Sequence, residues 1–146
     1  MNGLIALSET RDEQDVLPNM PPYPAIGLDH ARQSLRLDGT VTDVRLRNAV
    51  AGAIIHVNAD LAAWMDERQR TGETSGLSAE QETLYRDAVH AVAAAKLGEL
   101  YRGFDATGEG HKAADAVQEA IDRHWRNARW AVRDIMGQAH VTVELI

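Results

Sequence analysis

Three long stretches of the sequence place apolar residues at every third or fourth position, which is the spacing of one buried face on an α-helix. The stretches have similar lengths, and short polar segments join them. We therefore predict three long amphipathic helices that pack as an antiparallel bundle, an all-α fold. The apolar positions are Leu46, Val50, Ala53, Ile54, Val57, Leu61, Trp64 and Met65; Tyr85, Val89, Val92, Leu97, Leu100, Tyr101 and Phe104; and Ala114, Val117, Ile121, His124, Trp125, Ala128, Val132 and Ile135.

Capping residues mark the ends of these helices. Thr42 is a suitable N-cap for the first helix. Ser78 and Gln81 form a capping box for the second, in which the serine accepts from the backbone N–H of Gln81 and the Gln81 side chain reaches back. Gly137 is placed to cap the C-terminus of the third helix. The helix boundaries therefore follow from local chemistry as well as from periodicity.

The first 28 residues differ in composition from the rest of the chain. All four prolines lie within residues 18–24, where they prevent helix and favour an extended backbone. We expect residues 1–28 to form an extended N-terminal arm, which is either disordered or a strap that orders on a partner. A short N-terminal helix, capped by Asp29 and reaching about Arg36, then begins a helical domain over residues 29–138.

Residues 139–146 end in the alternating pattern HVTVELI, which predicts a C-terminal β-strand tail. A lone strand is not stable in water, so this tail must add to another edge. Two partners are open. One is Gly3–Leu7 of the same chain, and the other is a strand edge on a neighbouring subunit or another protein.

The charge and composition exclude several classes of protein. The net charge of −7 disfavours tight binding to nucleic-acid phosphate. Arginine greatly outnumbers lysine, which is consistent with ion pairing at interfaces, although codon usage is the simpler explanation of the bias. The absence of cysteine excludes disulfides and cysteine-based zinc sites. Without a signal-peptide pattern or an apolar run of about 18 residues, we expect a soluble protein, made in the cytoplasm, with no membrane partner.

The sequence contains no pattern typical of a catalytic or metal site. The six histidines lack HExxH or HxH spacing, and His124 on the apolar face is expected to be a core histidine. In the loop at 103–112, Glu109 stands where a phosphate loop needs lysine, and Ala116 stands where a calcium loop needs a closing carboxylate. No GxSxG motif is present. We predict no catalytic residue, no metal and no cofactor.

A group of arginines on the third helix indicates an interaction surface. Arg126, Arg129 and Arg133 step by three and four along the helix. Trp130 lies about 180° from Ile121 around the helix, away from the apolar face. Arginine and tryptophan are enriched in protein–protein interfaces. The alternative is that the arm or the short first helix covers Trp130.

Three blocks of the sequence resemble the phage head completion protein family of tailed myophages. They are SLRLDGTVTDVRLRNAV (Ser34–Val50), LYRDAVHAVAAAKLGELYRGFDATGEG (Leu84–Gly110) and RNARWAVRDIMGQAHVTVELI (Arg126–Ile146). Together they cover nearly half of the chain in the order that the family shows. The third block is the most specific of the three.

The resemblance implies a helical adaptor, or head–tail connector, with no catalysis and no cofactor. Such proteins assemble as a ring beneath the portal after DNA packaging, about twelve-fold in the virion. The ring retains the DNA, which passes through without sequence-specific binding, and forms the platform on which the tail docks. The implied partners are the portal protein, neighbouring copies and tail-side connector proteins. The implied location is the head–tail junction of the virion, with assembly in the host cytoplasm.

Two sets of residues are predicted to carry these contacts. The ring interface is predicted at Arg126, Arg129, Trp130 and Arg133. The contact with the portal or a neighbouring subunit is predicted at His140, Val141, Thr142, Val143, Glu144, Leu145 and Ile146. A small helical regulatory or DNA-binding module is the alternative, because the arginine stripe is the one candidate for a basic recognition helix. A helical-bundle enzyme or metalloprotein is a third hypothesis.

Overall fold

The computed structural model describes residues 15–37, 39–73, 76–105 and 111–140, and these are mostly helical with a small two-stranded sheet. The chain forms two short strands, one short helix and three long helices. In chain order they are β1 (Val16–Leu17), β2 (Ile26–Gly27), α1 (Leu28–Ser34), α2 (Asp43–Arg70), α3 (Ala79–Asp105) and α4 (His111–Ile135).

The predicted caps of the long helices are confirmed. The Thr42 hydroxyl accepts a 3.3 Å hydrogen bond from the backbone N–H of Arg45. Ser78 Oγ accepts from the Gln81 backbone N–H at 3.1 Å, and the Ser78 N–H donates to Gln81 Oε1 at 2.9 Å. Gly137 has a φ of 69°, a left-handed conformation that glycine adopts at helix C-termini.

The predicted cap of the short helix is wrong. Its N-cap is Gly27, which has no side-chain hydrogen bond, and Asp29 lies in the first turn instead. The reason is that β2 runs directly into α1, which leaves no loop residue to act as a side-chain cap. Asp29 still places a negative charge near the positive end of the helix dipole.

Helices α2 and α3 pack against each other in opposite directions. Near the start of α2, Arg45 Nη1 donates to the hydroxyl of Tyr101, which lies near the end of α3, at 3.3 Å. Towards the end of α2, the Asn58 side chain accepts from the hydroxyl of Tyr85 in the first half of α3. From the first contact to the second, the position advances along α2 and moves back along α3, so the two helices are antiparallel.

Helix α4 packs on α3 in the same manner. Gln81 Nε2 at the start of α3 donates to the carbonyl oxygen of Ile135 at the end of α4, at 3.1 Å. Further along, the indole N–H of Trp125 donates to Glu99 Oε1 at 2.8 Å. Helix α3 therefore lies between α2 and α4, which meet each other at His56 and Trp125 with ring centroids 5.3 Å apart.

The core lies along α3, and it departs from the predicted apolar positions at one end. Ile121 and Ile135 are buried on α4, but Val117 is 41% exposed and Ala114 is also exposed. Because the helices are antiparallel, Val117 lies level with the end of α3. Leu100, near the same end of α3, is 44% exposed.

Residues 15–27 form a strap that packs on the helices of its own chain. Strands β1 and β2 pair antiparallel, with Leu17 opposite Ile26, and the Ile26 side chain is 1% exposed. The ring of Tyr23 stacks on that of Tyr85 at 5.0 Å. The prediction of a disordered or partner-ordered arm is therefore wrong for these residues, because buried aromatic and aliphatic side chains hold the proline-rich segment in place. Residues 1–14 lie outside the described residues.

A hydrogen-bond network ties this strap to α2 and α3. Asn19 Nδ2 donates to the Tyr85 hydroxyl at 2.8 Å, and Asn58 Nδ2 donates to Asn19 Oδ1 at 3.0 Å. The Tyr85 hydroxyl in turn donates to the Asn58 side chain, which closes a ring of three side chains. Burial raises the pKa of Tyr85 to about 12, so this hydroxyl keeps its proton at physiological pH.

Candidate functional site

The four residues of the predicted ring interface lie on the surface of α4. Ala128 and Val132 of this helix are buried on α3, while Arg126, Arg129 and Trp130 are exposed. Arg133 is half-buried. The structure thus brings these side chains to one exposed side of the molecule.

Trp130 is the centre of a cluster formed within the chain. Arg126 Cζ lies 4.9 Å from the centroid of the Trp130 ring, at cation–π distance. The ring of His140 stacks on Trp130 with centroids 4.9 Å apart and an interplanar angle of 5°. Trp130 nevertheless remains 37% exposed. The chain after α4 partly covers Trp130, in place of the arm or the short helix considered as its cover.

The turn after α4 brings His140 back to the helix. The N–H of Gln138 donates to the carbonyl of Arg133 at 2.9 Å, and that of Gly137 donates to the carbonyl of Asp134 at 3.1 Å. This pair of hydrogen bonds is a Schellman motif, which reverses the chain direction at a helix end. His140 Nε2 then lies 2.7 Å from Asp134 Oδ1.

Only one residue of the predicted C-terminal binding segment is described. His140 lies beside Trp130, whereas Val141–Ile146, and with them the predicted strand, lie outside the described residues. Arg133 Nη1 donates to the carbonyl oxygen of Ala139 at 3.0 Å and so helps to hold the start of this segment on α4.

A groove beside Trp130 contains residues that the sequence analysis did not single out. It has a volume of about 440 Å³ and lies between the end of α1, the first half of α3 and the second half of α4. Asp87, His90 and Asp134 line it together with Trp130 and His140. We call it the acidic groove. The i, i+3 spacing of Asp87 and His90 was visible in the sequence, but the convergence of three helices was not.

His90 is the buried polar residue of this groove. Its side chain is 6% exposed, and its Nε2 has no hydrogen-bond partner within the described part of the chain. Burial, together with the charges of His30 and Arg86, lowers the pKa of His90 to about 4. The imidazole is therefore neutral at physiological pH.

His124, predicted to be a core histidine, is only partly buried. It lines a second cavity of about 460 Å³ with Leu97 and Tyr101. Burial lowers its pKa, and the charge of Arg123 lowers it further. His124 therefore lies at the margin of the core.

The described residues hold no cluster of three or more histidine, aspartate or glutamate side chains that could bind a metal ion. Within the same ranges, no helix combines the length and the apolar character needed to cross a membrane.

A family model described as phage head completion protein (GPL) matches residues 17–146. The chain belongs to the phage head completion protein family. The match includes most of the strap, the α4 surface and the C-terminal segment, so it is wider than the three blocks recognised in the sequence.

A similar head completion protein comes from Escherichia phage P2. This relative, described as a head completion/stabilization protein, is 31% identical to the chain over 153 residues, which cover 99% of the chain and 90% of the relative. No solved structure matches the chain. Family membership makes this protein a structural component of phage head assembly that is associated with the virion.

Proposed function

We propose that this head completion protein is the head–tail connector subunit of its phage. In this proposal, copies assemble as a ring beneath the portal after DNA packaging, retain the DNA and form the platform on which the tail docks. The partners are the portal protein, neighbouring copies and tail-side connector proteins. Assembly takes place in the host cytoplasm.

The observation that carries this proposal is the exposed arginine and tryptophan surface of α4. Trp130 and its arginine neighbours combine a large rigid ring with charged groups that pair with carboxylates, which is the chemistry of interface hot spots. A ring requires each subunit to bind the next through such a surface, because a repeated head-to-tail contact closes when its rotation fits.

The name of the phage P2 relative supports the proposal that the ring retains DNA. That protein is described as completing and stabilising heads. Stabilisation of a filled head is consistent with a ring that retains DNA. A net charge of −7 suits a passage through which DNA slides, since an acidic subunit binds phosphate weakly.

We further propose that Val141–Ile146 adds as a strand to a neighbouring copy or to the portal. The alternating sequence supports strand addition, in which main-chain hydrogen bonds supply affinity. The family model extends through these residues. Pairing with Gly3–Leu7 in the same chain is the alternative.

Mixing the purified protein with its portal protein tests the ring proposal. Size-exclusion chromatography with light scattering should show a complex of several copies per portal, and electron microscopy should show added density below the portal. Trp130→Ala should weaken this complex, whereas Val44→Ala, a change at an exposed apolar residue of α2, should not. Separate elution of the two proteins at all concentrations would contradict the proposal. Salt-dependent binding of duplex DNA by the isolated protein would favour the DNA-binding alternative.

A further inference from the structure

The acidic groove presents a carboxylate that has no partner within the described ranges. Asp87 is exposed at the groove, and its side chain makes no hydrogen bond or ion pair with any of the described residues. Asp134 lies in the same groove and contacts His140. Neutral His90 does not offset these negative charges, and Arg86 beside it pairs with Glu82 at 3.6 Å. The groove therefore suits a cationic group.

One arginine of the α4 stripe also has no partner among the described residues. Arg126 lies over Trp130, and Arg133 donates to Ala139, but Arg129 makes no hydrogen bond, ion pair or ring contact with the other described residues. Arg129 lies about 160° around α4 from Ala131, which lines the acidic groove. Among the described residues, a single subunit thus carries an arginine and a carboxylate, at separate places on its surface, that have no hydrogen-bond or ion-pair partner.

Two occupants of the groove can be compared by charge. The C-terminal segment begins at the groove, because His140 lines it, but the charged side chain of that segment is Glu144, which the aspartates repel. A second copy of the chain offers Arg129, whose guanidinium pairs with carboxylates in a planar, two-bonded geometry. Charge complementarity favours the second copy.

We propose that the acidic groove of one copy binds Arg129 of the next copy, with Asp87 and Asp134 as the carboxylates that receive the guanidinium. Arg129 and the two carboxylates are different parts of the subunit surface, so a contact between them is head-to-tail and can repeat around a ring. This inference rests on the proposed function, since it names the residues through which neighbouring copies join.

Charge exchange tests the pair directly. Asp87→Arg and Arg129→Asp should each raise the protein concentration needed for assembly at least about tenfold, because like charges opposed across an interface repel. The chain that carries both substitutions should recover most of the assembly. Asp66→Arg, a reversal at an exposed residue of α2, is the matched control and should leave assembly unchanged. Circular dichroism shows whether each variant folds.

Cross-linking provides a second measurement that does not depend on affinity. The chain contains no cysteine, so single cysteines can be introduced without background reaction. A mixture of Asp87→Cys and Arg129→Cys chains, treated with a short bis-maleimide, should give the mixed dimer, whereas Asp66→Cys with Arg129→Cys should not.

The outcomes separate this inference from the proposed function. If the wild-type protein assembles but the double charge variant is not rescued and the mixed dimer is absent, the pairing is wrong and the ring proposal stands. If the wild-type protein remains a monomer both alone and with the portal protein, the ring proposal fails, and this inference fails with it.

Discussion

Replacement of Gly98 by alanine should destabilise the protein, although alanine is the better helix former. A Cβ at Gly98 would lie 2.9 Å from Cγ1 of Ile121 and 3.5 Å from its Cδ1. Carbon atoms pack at about 3.5–4.0 Å, so the first of these contacts is repulsive. Isoleucine in a helix strongly prefers one χ1 rotamer, so relief of the clash requires either an unfavourable rotamer of Ile121 or a small separation of the two helices.

The size of the change in the free energy of unfolding follows from two opposing effects. Alanine in place of glycine gains roughly 0.5–1 kcal/mol of helix stability. Overpacking of a close-packed core costs roughly 1–3 kcal/mol. For Gly98→Ala we therefore expect a net loss of roughly 1 kcal/mol in the free energy of unfolding, measured by urea denaturation followed by circular dichroism.

Two variants decide whether the close approach is the cause. Gly52 of α2 also lies inside a helix, but a Cβ there would meet the Lys96 side chain at an ordinary 3.7 Å. Gly52→Ala should therefore stabilise the protein by roughly 0.5–1 kcal/mol. In an Ile121→Ala background, which removes Cγ1, Gly98→Ala should change sign and become stabilising. If Gly98→Ala stabilises the wild-type protein as much as Gly52→Ala does, the reasoning is refuted.

Three other perturbations test separate parts of the structure. Tyr85→Phe should lower the free energy of unfolding by roughly 1–3 kcal/mol, because it leaves Asn19 and Asn58 without their shared partner; urea denaturation measures this loss. His90 has a folded-state pKa of about 4 against an ordinary 6.5, so the unfolded state binds its proton first as the pH falls. Wild-type stability relative to His90→Gln should therefore decrease between pH 6.5 and 4, by at most about 1.4 kcal/mol per pH unit in denaturation series. Deletion of residues 141–146 should leave the helical circular dichroism unchanged and abolish assembly, as read by light scattering.

Each of these three predictions has an outcome that would contradict it. Among the described residues, the hydroxyl of Tyr101 bonds only exposed Arg45, so Tyr101→Phe should cost much less; equal losses from both tyrosines would show that the buried network contributes little. A wild-type minus His90→Gln difference that does not vary with pH would show that His90 titrates normally. Loss of helical signal on deletion would place the C-terminal segment in the core.

The long helices could be predicted because their signals are local. The periodicity of apolar residues and the caps at Thr42, Ser78 and Gly137 each depend on residues within one or two helical turns. The same locality explains the error at Val117, since its periodicity is correct while its exposure depends on where the antiparallel neighbour ends. Family membership was also recognisable, from blocks of sequence and not from physical pattern.

The strap could not be predicted because its contacts are distant in sequence. Asn19 bonds Tyr85, 66 residues away, and Asn58, 39 residues away. Nothing in the proline-rich segment itself indicates which surface it will contact. Composition therefore predicted the extended backbone of this segment. It did not predict that the segment packs on helices of its own chain.

The candidate site was only partly predictable for the same reason. The angle of Trp130 on its helix placed it away from the apolar face, but the sequence left open whether another segment covers it. The acidic groove combines Asp87 and His90 of α3 with Asp134 of α4, and no single-helix pattern contains all three. The stacking of His140 on Trp130 depends on the turn at Gly137, whose cap was predicted but whose direction was not.

The central position of α3 has a mechanical consequence. Within the described residues, helices α2 and α4 meet at little more than His56 and Trp125, so a force applied to one reaches the other mainly through α3. The small side chains of α3, among them Ala88, Ala93 and Ala95, are fully buried and leave few rotamers that could yield under such a force. A force applied to α2 would thus be transmitted to α4 through α3, which has little freedom to deform.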